Sequence, residues 1–462
     1  MTATKALADW RDRWSAGWRS PGSLTALVPA AAEDHQHLRN TLEKREPSIL
    51  EALRSVEDLH ALRLVVIPPS EGRPTRLLVN SVCDSPPAIH RAKVAAALHP
   101  FVAELVAGAP DSPEALGSLL SKHHNREKTL FLASPGVTLA RIREEARLRE
   151  VLRDWLEARR EDGSLGTMRL DEAHAAARDH VRGLADPTCA REPILPVPGR
   201  WRRRLECAAT FLFFPLFGVL GKDIHLAAEA QRTPAARLGT HAALALWWIY
   251  AAPFTALALL FVRLREWLEP EVVPAPASEA KLLHVESVED AQTKNELTVW
   301  FPVKPDPIGR FLMWLTLFGS ERGTRHLWTR GSLAGAENIH YARLLLADGG
   351  RRMIFMSDYE GSFDAYIDHF IGIGGKTRAV IPISSRVLGC PPTRWLYWPV
   401  EEVSFRRRWR EMARSYQLQA SVRYVAYPDL SANDILNHSV IRERLFAESL
   451  SPEELKDWAA RI

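Results

Sequence analysis

The chain has 462 residues, 46% of them hydrophobic and 25% charged, with a formal net charge of +4. That length holds two or three domains with buried cores, and the composition excludes a disordered chain. A charge so close to zero, without a helix-turn-helix, zinc-finger or RNA-binding signature, argues against nucleic acid as a partner.

In chain order, the first predicted element is an amphipathic helix over residues 1–20. Trp10, Trp14 and Trp18 share one face, with Arg11, Asp12, Arg13 and Arg19 on the others. Such a helix serves equally as an in-plane membrane anchor or as a helix docked by its Trp face.

Residues 21–186 and 291–450 read as two diverged copies of one unit, carrying four landmarks in the same order. A short strand opens each: Leu24-Thr25 with Pro29 behind it, and Leu297-Thr298 with Pro302 behind it. A second strand contains His-x-x-Arg, at His60 and Arg63 and at His340 and Arg343. A third ends on a serine, Arg76 to Ser81 and Arg352 to Ser357. A fourth strand then runs through a turn into a capped helix, with Thr138 and Ser431 as the N-caps. With helical stretches between the strands, each copy reads β-α-β-β-α-β, the ferredoxin-like order. The expected fold is therefore α+β, with two ferredoxin-like repeats paired as a pseudo-twofold α+β barrel that hides the sheet edges. At the end of the chain, Ser451-Pro452-Glu453-Glu454 predicts a capping box that opens a terminal helix over 451–462.

Residues 187–290 form a linker and an apolar helical insertion. The 15 residues from Cys207 to Gly221 and the 25 from Leu238 to Val262 contain no Asp, Glu, Lys or Arg, and the longer run reaches across a hydrocarbon core. Arg200, Arg202, Arg203 and Arg204 before the runs and Arg263 and Arg265 after them suit a hairpin with both ends cytoplasmic. The alternative is an apolar helix pair buried in the protein or in a dimer interface. Trp247, Trp248 and Tyr250, central in the longer run instead of at its ends, favour that alternative. The four cysteines form no CxxC pair, which points to a reducing compartment, and the N-terminus lacks a signal peptide. These features lead to an expectation of a protein on the cytoplasmic side of a bacterial inner membrane, with the lipid bilayer as a partner.

Asn338 to Arg343, Ser357 to Phe363 and Tyr424 to Ser431 resemble a largely uncharacterised family of bacterial proteins that read TIHFARW, SNYDGSWESYL and YSAYPDLS there. The match covers roughly residues 289–445. It implies a distant relation to the dimeric α+β barrel superfamily, which includes the haem-binding dye-decolourising peroxidases. The chain departs from the family at Asp358, Glu360 and Phe363, where Asn, Asp and Trp are usual. The Gly-x-x-Asp-Gly haem motif is missing.

The candidate chemistry gathers around these motifs. His340 is the candidate haem ligand or general base, with Arg343 as its partner. On a regular strand the two would point to opposite faces, so a shared substrate requires a bulge between them. Asp358, Tyr359, Glu360 and Asp364 form an acidic turn that either binds a ligand or starts a helix, and Arg394 and Tyr427 complete the ligand-binding set. No metal site is predicted. The leading expectation is a membrane-attached barrel that binds a small apolar or amphipathic ligand; the alternative is a haem-dependent oxidoreductase.

Overall fold

The computed structural model describes residues 22–70, 72–125, 129–183, 234–289, 293–326, 331–333, 336–371, 381–393 and 401–462. The N-terminal Trp helix, the Cys207–Gly221 run and Arg394 lie outside them. The elements are β1 (Gly22–Pro29), α1 (His35–Arg54), β2 (Leu59–Ile67), β3 (Arg76–Cys83), α2 (Pro87–Val102), α3 (Pro113–Lys122) and β4 (Thr129–Leu132). They continue with α4 (Leu139–Glu161), α5 (Leu170–Arg182), α6 (Pro234–Leu268), α7 (Glu279–Val288), β5 (Lys294–Pro302) and α8 (Pro307–His326). The rest are β6 (Ile339–Ala347), β7 (Arg352–Glu360), α9 (Phe363–Ile371), α10 (Ile381–Ser384), α11 (Glu402–Tyr416), β8 (Gln417–Leu418), β9 (Ala420–Val425), α12 (Ala432–Leu445) and α13 (Pro452–Ala459).

The fold is mixed α+β with two antiparallel sheets, ordered β1-β3-β2-β9 and β4-β6-β7-β5-β8. They are not closed into the expected barrel. In a self-contained β-α-β-β-α-β unit, the fourth strand closes its own sheet. Here β4 pairs with β6 and β9 pairs with β2, so each sheet takes an edge strand from the other half of the sequence.

Two compact units follow. The first comprises Pro21–His124, Gly136–Leu195 and Ala420–Ile462, and the second Met1–Ser20, Asn125–Pro135 and Pro196–Gln419. In the first unit one sheet face carries Leu24, Ala26, Val28, Leu62, Leu64, Val66 and Val79 into a core with Leu42 and Ile49 of α1, Leu98 of α2 and Leu120 of α3. The alternation of these apolar residues along the strands makes one continuous apolar face. The predicted caps are present. Thr138 accepts from the Arg141 amide at 3.3 Å, and Ser431 and Ser451 each form a capping box, with Asp434 and Glu454.

α6 runs 35 residues, contains Pro253 and covers the longer apolar run. Among the described residues no helix is long and apolar enough to cross a membrane. This corrects the membrane-attachment and transmembrane expectation.

Candidate functional site

β6 of the second unit opens on a β-bulge. Ile339 lies opposite Tyr359 and Tyr341 opposite Asp358, which leaves His340 as the extra residue. This is the bulge that a shared His340 and Arg343 face requires. Cross-strand partners share a face. By the register, Lys294, Glu296 and Thr298 of β5 therefore join Tyr341 and Arg343 of β6 and Met356, Asp358 and Glu360 of β7 on one side of the sheet. His340 enters that group through a 2.6 Å hydrogen bond from its Nε2 to Glu360 Oε1. Lys294 is 1% exposed, His340 2%, Arg343 3% and Asp358 5%, while Glu360 is only partly buried.

The backbone holds the pair from both sides. The Glu360 amide donates to the Asn338 carbonyl at 2.8 Å, and the Ala133 amide of the loop after β4 donates to the His340 carbonyl at 3.0 Å. Asn338 Nδ2 returns a bond to the Glu360 carbonyl at 2.8 Å. Burial pushes the His340 pKa below the ordinary imidazole range. The Glu360 hydrogen bond and the Glu360 and Asp358 charges pull it upward, while Lys294 pulls it down. A neutral imidazole facing a carboxylate places its proton on Nε2, because an ionised carboxylate can only accept.

The predicted acidic turn divides in the structure. Asp358 and Glu360 stay on the charged face. Tyr359 points to the other, where its ring stacks on Tyr366 of α9 at 4.1 Å, and the Tyr366 hydroxyl donates to Ser357 Oγ at 2.9 Å. Gly361, at φ +77°, takes the left-handed turn that ends β7. Ser362 then caps α9 by accepting from the Ala365 amide at 3.3 Å. Asp364 is exposed in the first turn of α9, bonded to Arg410 at 3.3 Å. The three carboxylates do not converge, and among the described residues no three His, Cys, Asp or Glu side chains gather as a metal site.

Tyr427 falls in the first unit, beside His60. β2 there opens on a matching bulge, with Leu59 opposite Cys83, Ala61 opposite Val82 and His60 extra. His60 Nε2 donates to Asp84 Oδ1 at 2.8 Å, and its Nδ1 accepts from the Tyr427 hydroxyl at 3.2 Å. Asp84 Oδ2 takes the Leu139 amide at 2.8 Å. The His60 carbonyl accepts from Ala426 at 2.9 Å. On the helix side Ser81 bonds His90 of α2 at 2.7 Å, nine residues on, as Ser357 bonds Tyr366.

No family model, no curated protein and no solved structure matches the chain.

The two sheets therefore share a bulged His, its acid, an Arg three residues on and a Ser bonded to a helix. Around that frame they differ. Where the second sheet sets Glu296 and Tyr341 opposite Asp358, the first sets Ser23 and Ala61 opposite Val82. Lys294, opposite Glu360, has no counterpart within β1. Sequence reasoning missed Lys294, Glu296 and the role of Asp84. The available signal was a spacing: Asp84 and Glu360 each stand three residues after the shared serine.

The geometry bears on the expected barrel ligand. With no closed barrel there is no barrel interior for an apolar ligand, and the face around His340 is charged. His340 Nε2 bonds Glu360 Oε1 at 2.6 Å.

Proposed function

We propose that the two halves of the chain derive from one duplicated unit whose copies exchanged their fourth strands. On this reading, the charged face of the second sheet is an acid–base site for a small, polar, charged substrate. The comparison between the sheets carries this reading. A sheet of this topology forms with Ser23, Ala61 and Val82 where the second has Glu296, Tyr341 and Asp358. Burying charged groups costs several kcal/mol per ion, and the requirements of the fold do not account for it here. Buried clusters of opposed titratable groups are characteristic of functional sites.

In this site Glu360, the acid that reaches toward solvent, exchanges the proton. His340 positions it from behind through Nε2. Lys294 and Arg343 balance the carboxylates and offer positive charge to a substrate anion. The segments that resemble the bacterial family supply His340, Tyr341, Arg343, Asp358 and Glu360, so the resemblance and the charged face coincide.

The test is a thermal-shift screen of charged, polar metabolites against the wild type, Glu360→Gln and Lys294→Met. A compound that raises the wild-type Tm with dose and loses that effect in both variants supports the site. A compound that stabilises all three proteins equally, or a screen without any such compound, overturns it.

A further inference from the structure

In the first unit, Ile441 and Leu445 of α12 join Leu148, Leu152 and Trp155 of α4 in one apolar cluster. Polar contacts complete the seam between the two helices. Glu145 of α4 pairs with Arg141 at 2.6 Å and with Arg442 at 2.8 Å, and accepts from Ser439 Oγ at 2.6 Å.

His438 of α12 sits in this seam with its hydrogen bonding incomplete. It is 3% exposed, and its Nε2 lies 3.5 Å from Arg149 Nη1 of α4. A guanidinium only donates, so Nε2 accepts and the single proton of the ring sits on Nδ1. Nδ1 is buried and has no hydrogen-bond partner among the described residues. A cation therefore abuts a buried imidazole that is satisfied on one side. Asp434, one turn earlier on α12, completes the group. Its Oδ1 lies 3.9 Å from Arg149, and its Oδ2 accepts from Ser431 Oγ at 2.7 Å in the capping box. The Arg149 and Asp434 side chains are 36% and 39% exposed, so water reaches the cluster beside the buried ring.

The other elements packed on α12 meet it at different residues. α5 sets His174 Nε2 on the Arg444 carbonyl at 3.1 Å, and the C-terminal segment sets Asp457 against Arg444 and Arg461 against Asn437. Arg149 and Asp434 are the charges that act on His438. Burial and then Arg149 push its imidazole below the ordinary range, while Asp434 pulls it up.

We infer that Arg149, His438 and Asp434 form an acid-sensitive latch, which holds the N-terminal half of α12 on α4 while His438 is neutral and lets go when it gains a proton. Protonation at Nε2 removes the lone pair to which Arg149 donates and sets two cations 3.5 Å apart. Asp434 stands at the i, i+4 spacing at which two side chains of one helix pair. The contact across the seam is thereby exchanged for one within α12. Above about pH 6.5 the ring is neutral in both forms and the seam keeps its full stability. Below that value the open form binds a proton that the docked form resists, and the balance moves toward opening. The latch stands apart from the charged face of the second unit and does not depend on its role.

Hydrogen–deuterium exchange of the full-length protein, corrected for the intrinsic rate, tests this at about pH 7.5 and about pH 5. Exchange over residues 432–440 should rise about tenfold at the lower pH, within the roughly thirty-fold that a group of ordinary value near 6.5 can supply. His438→Gln keeps an acceptor for Arg149 and cannot titrate, so there the rise should vanish. Arg149→Gln keeps His438 without the facing cation and should show a smaller rise, which serves as the readout if His438→Gln does not fold. β2 and β3 should exchange alike at both pH values. A wild type without the rise, an undiminished rise in either variant, or an equal rise over β2 and β3 overturns the inference.

Discussion

His60 and His340 occupy matching bulges in two sheets that share four strands in the same order, the second with β8 added at one edge, and their surroundings differ. In the first unit every group around His60 closes on the fold. Tyr427 and Asp84 take its two nitrogens, and the second oxygen of Asp84 tethers the start of α4 through Leu139. In the second unit the same His and acid are joined by Lys294, Glu296, Tyr341 and Asp358, where the first sheet manages with small or apolar residues. The shared part pins the bulge, and the proposed function gives the added part its use.

The largest expected effect breaks the structural member of the pair. Asp84→Ala strips the acceptor from His60 and from the Leu139 amide, each worth about 1–3 kcal/mol when left unmade. Urea unfolding should show a loss of about 2–5 kcal/mol. Glu360→Ala removes the bond to His340 and should cost about 1–3 kcal/mol. If Glu360→Ala proves the more damaging, the roles assigned to the two sheets are reversed.

Next in size are Ser81→Ala and Ser357→Ala. Each deletes a buried bond to a helix, and each should cost about 1 kcal/mol. Equal costs sharpen the correspondence between the sheets, while a large difference weakens it.

The smallest effect is a pH dependence. The folded pKa of His340 lies below its unfolded value, near 6.5. Above that value both states are neutral and the stability is fully present. As pH falls below it, the unfolded chain binds a proton that the folded chain does not, and stability declines until the folded pKa is reached. Buried His174 and His438 shift in the same direction. His340→Gln should therefore reduce the acid-side slope of stability without removing it.

Much of this frame was legible in the residues. His-x-x-Arg, the serine of the third strand and the caps Thr138, Ser431 and Ser451 fall on the elements that the sequence predicts, although the third strands run two and three residues past Ser81 and Ser357. The strand exchange was not legible, because which sheet an edge strand joins is decided by tertiary pairing and leaves no local mark. The bulge adds one residue without changing composition, so only the functional demand on His340 and Arg343 pointed to it. Lys294 reads from sequence as a solvated strand end, and its burial is visible only in three dimensions. Asp84 and Glu360 differ in length and precede different turns, which concealed their common role.

The most direct test is the unfolding free energy of the triple variant Lys294→Met/Glu296→Ser/Asp358→Val, which gives the second sheet a face like that of the first. If these residues serve function, the variant should be as stable as the wild type or more so, because replacing buried ions by apolar groups is often neutral or stabilising. A loss of about 3 kcal/mol or more would show that the charged face is part of the fold and contradict the account.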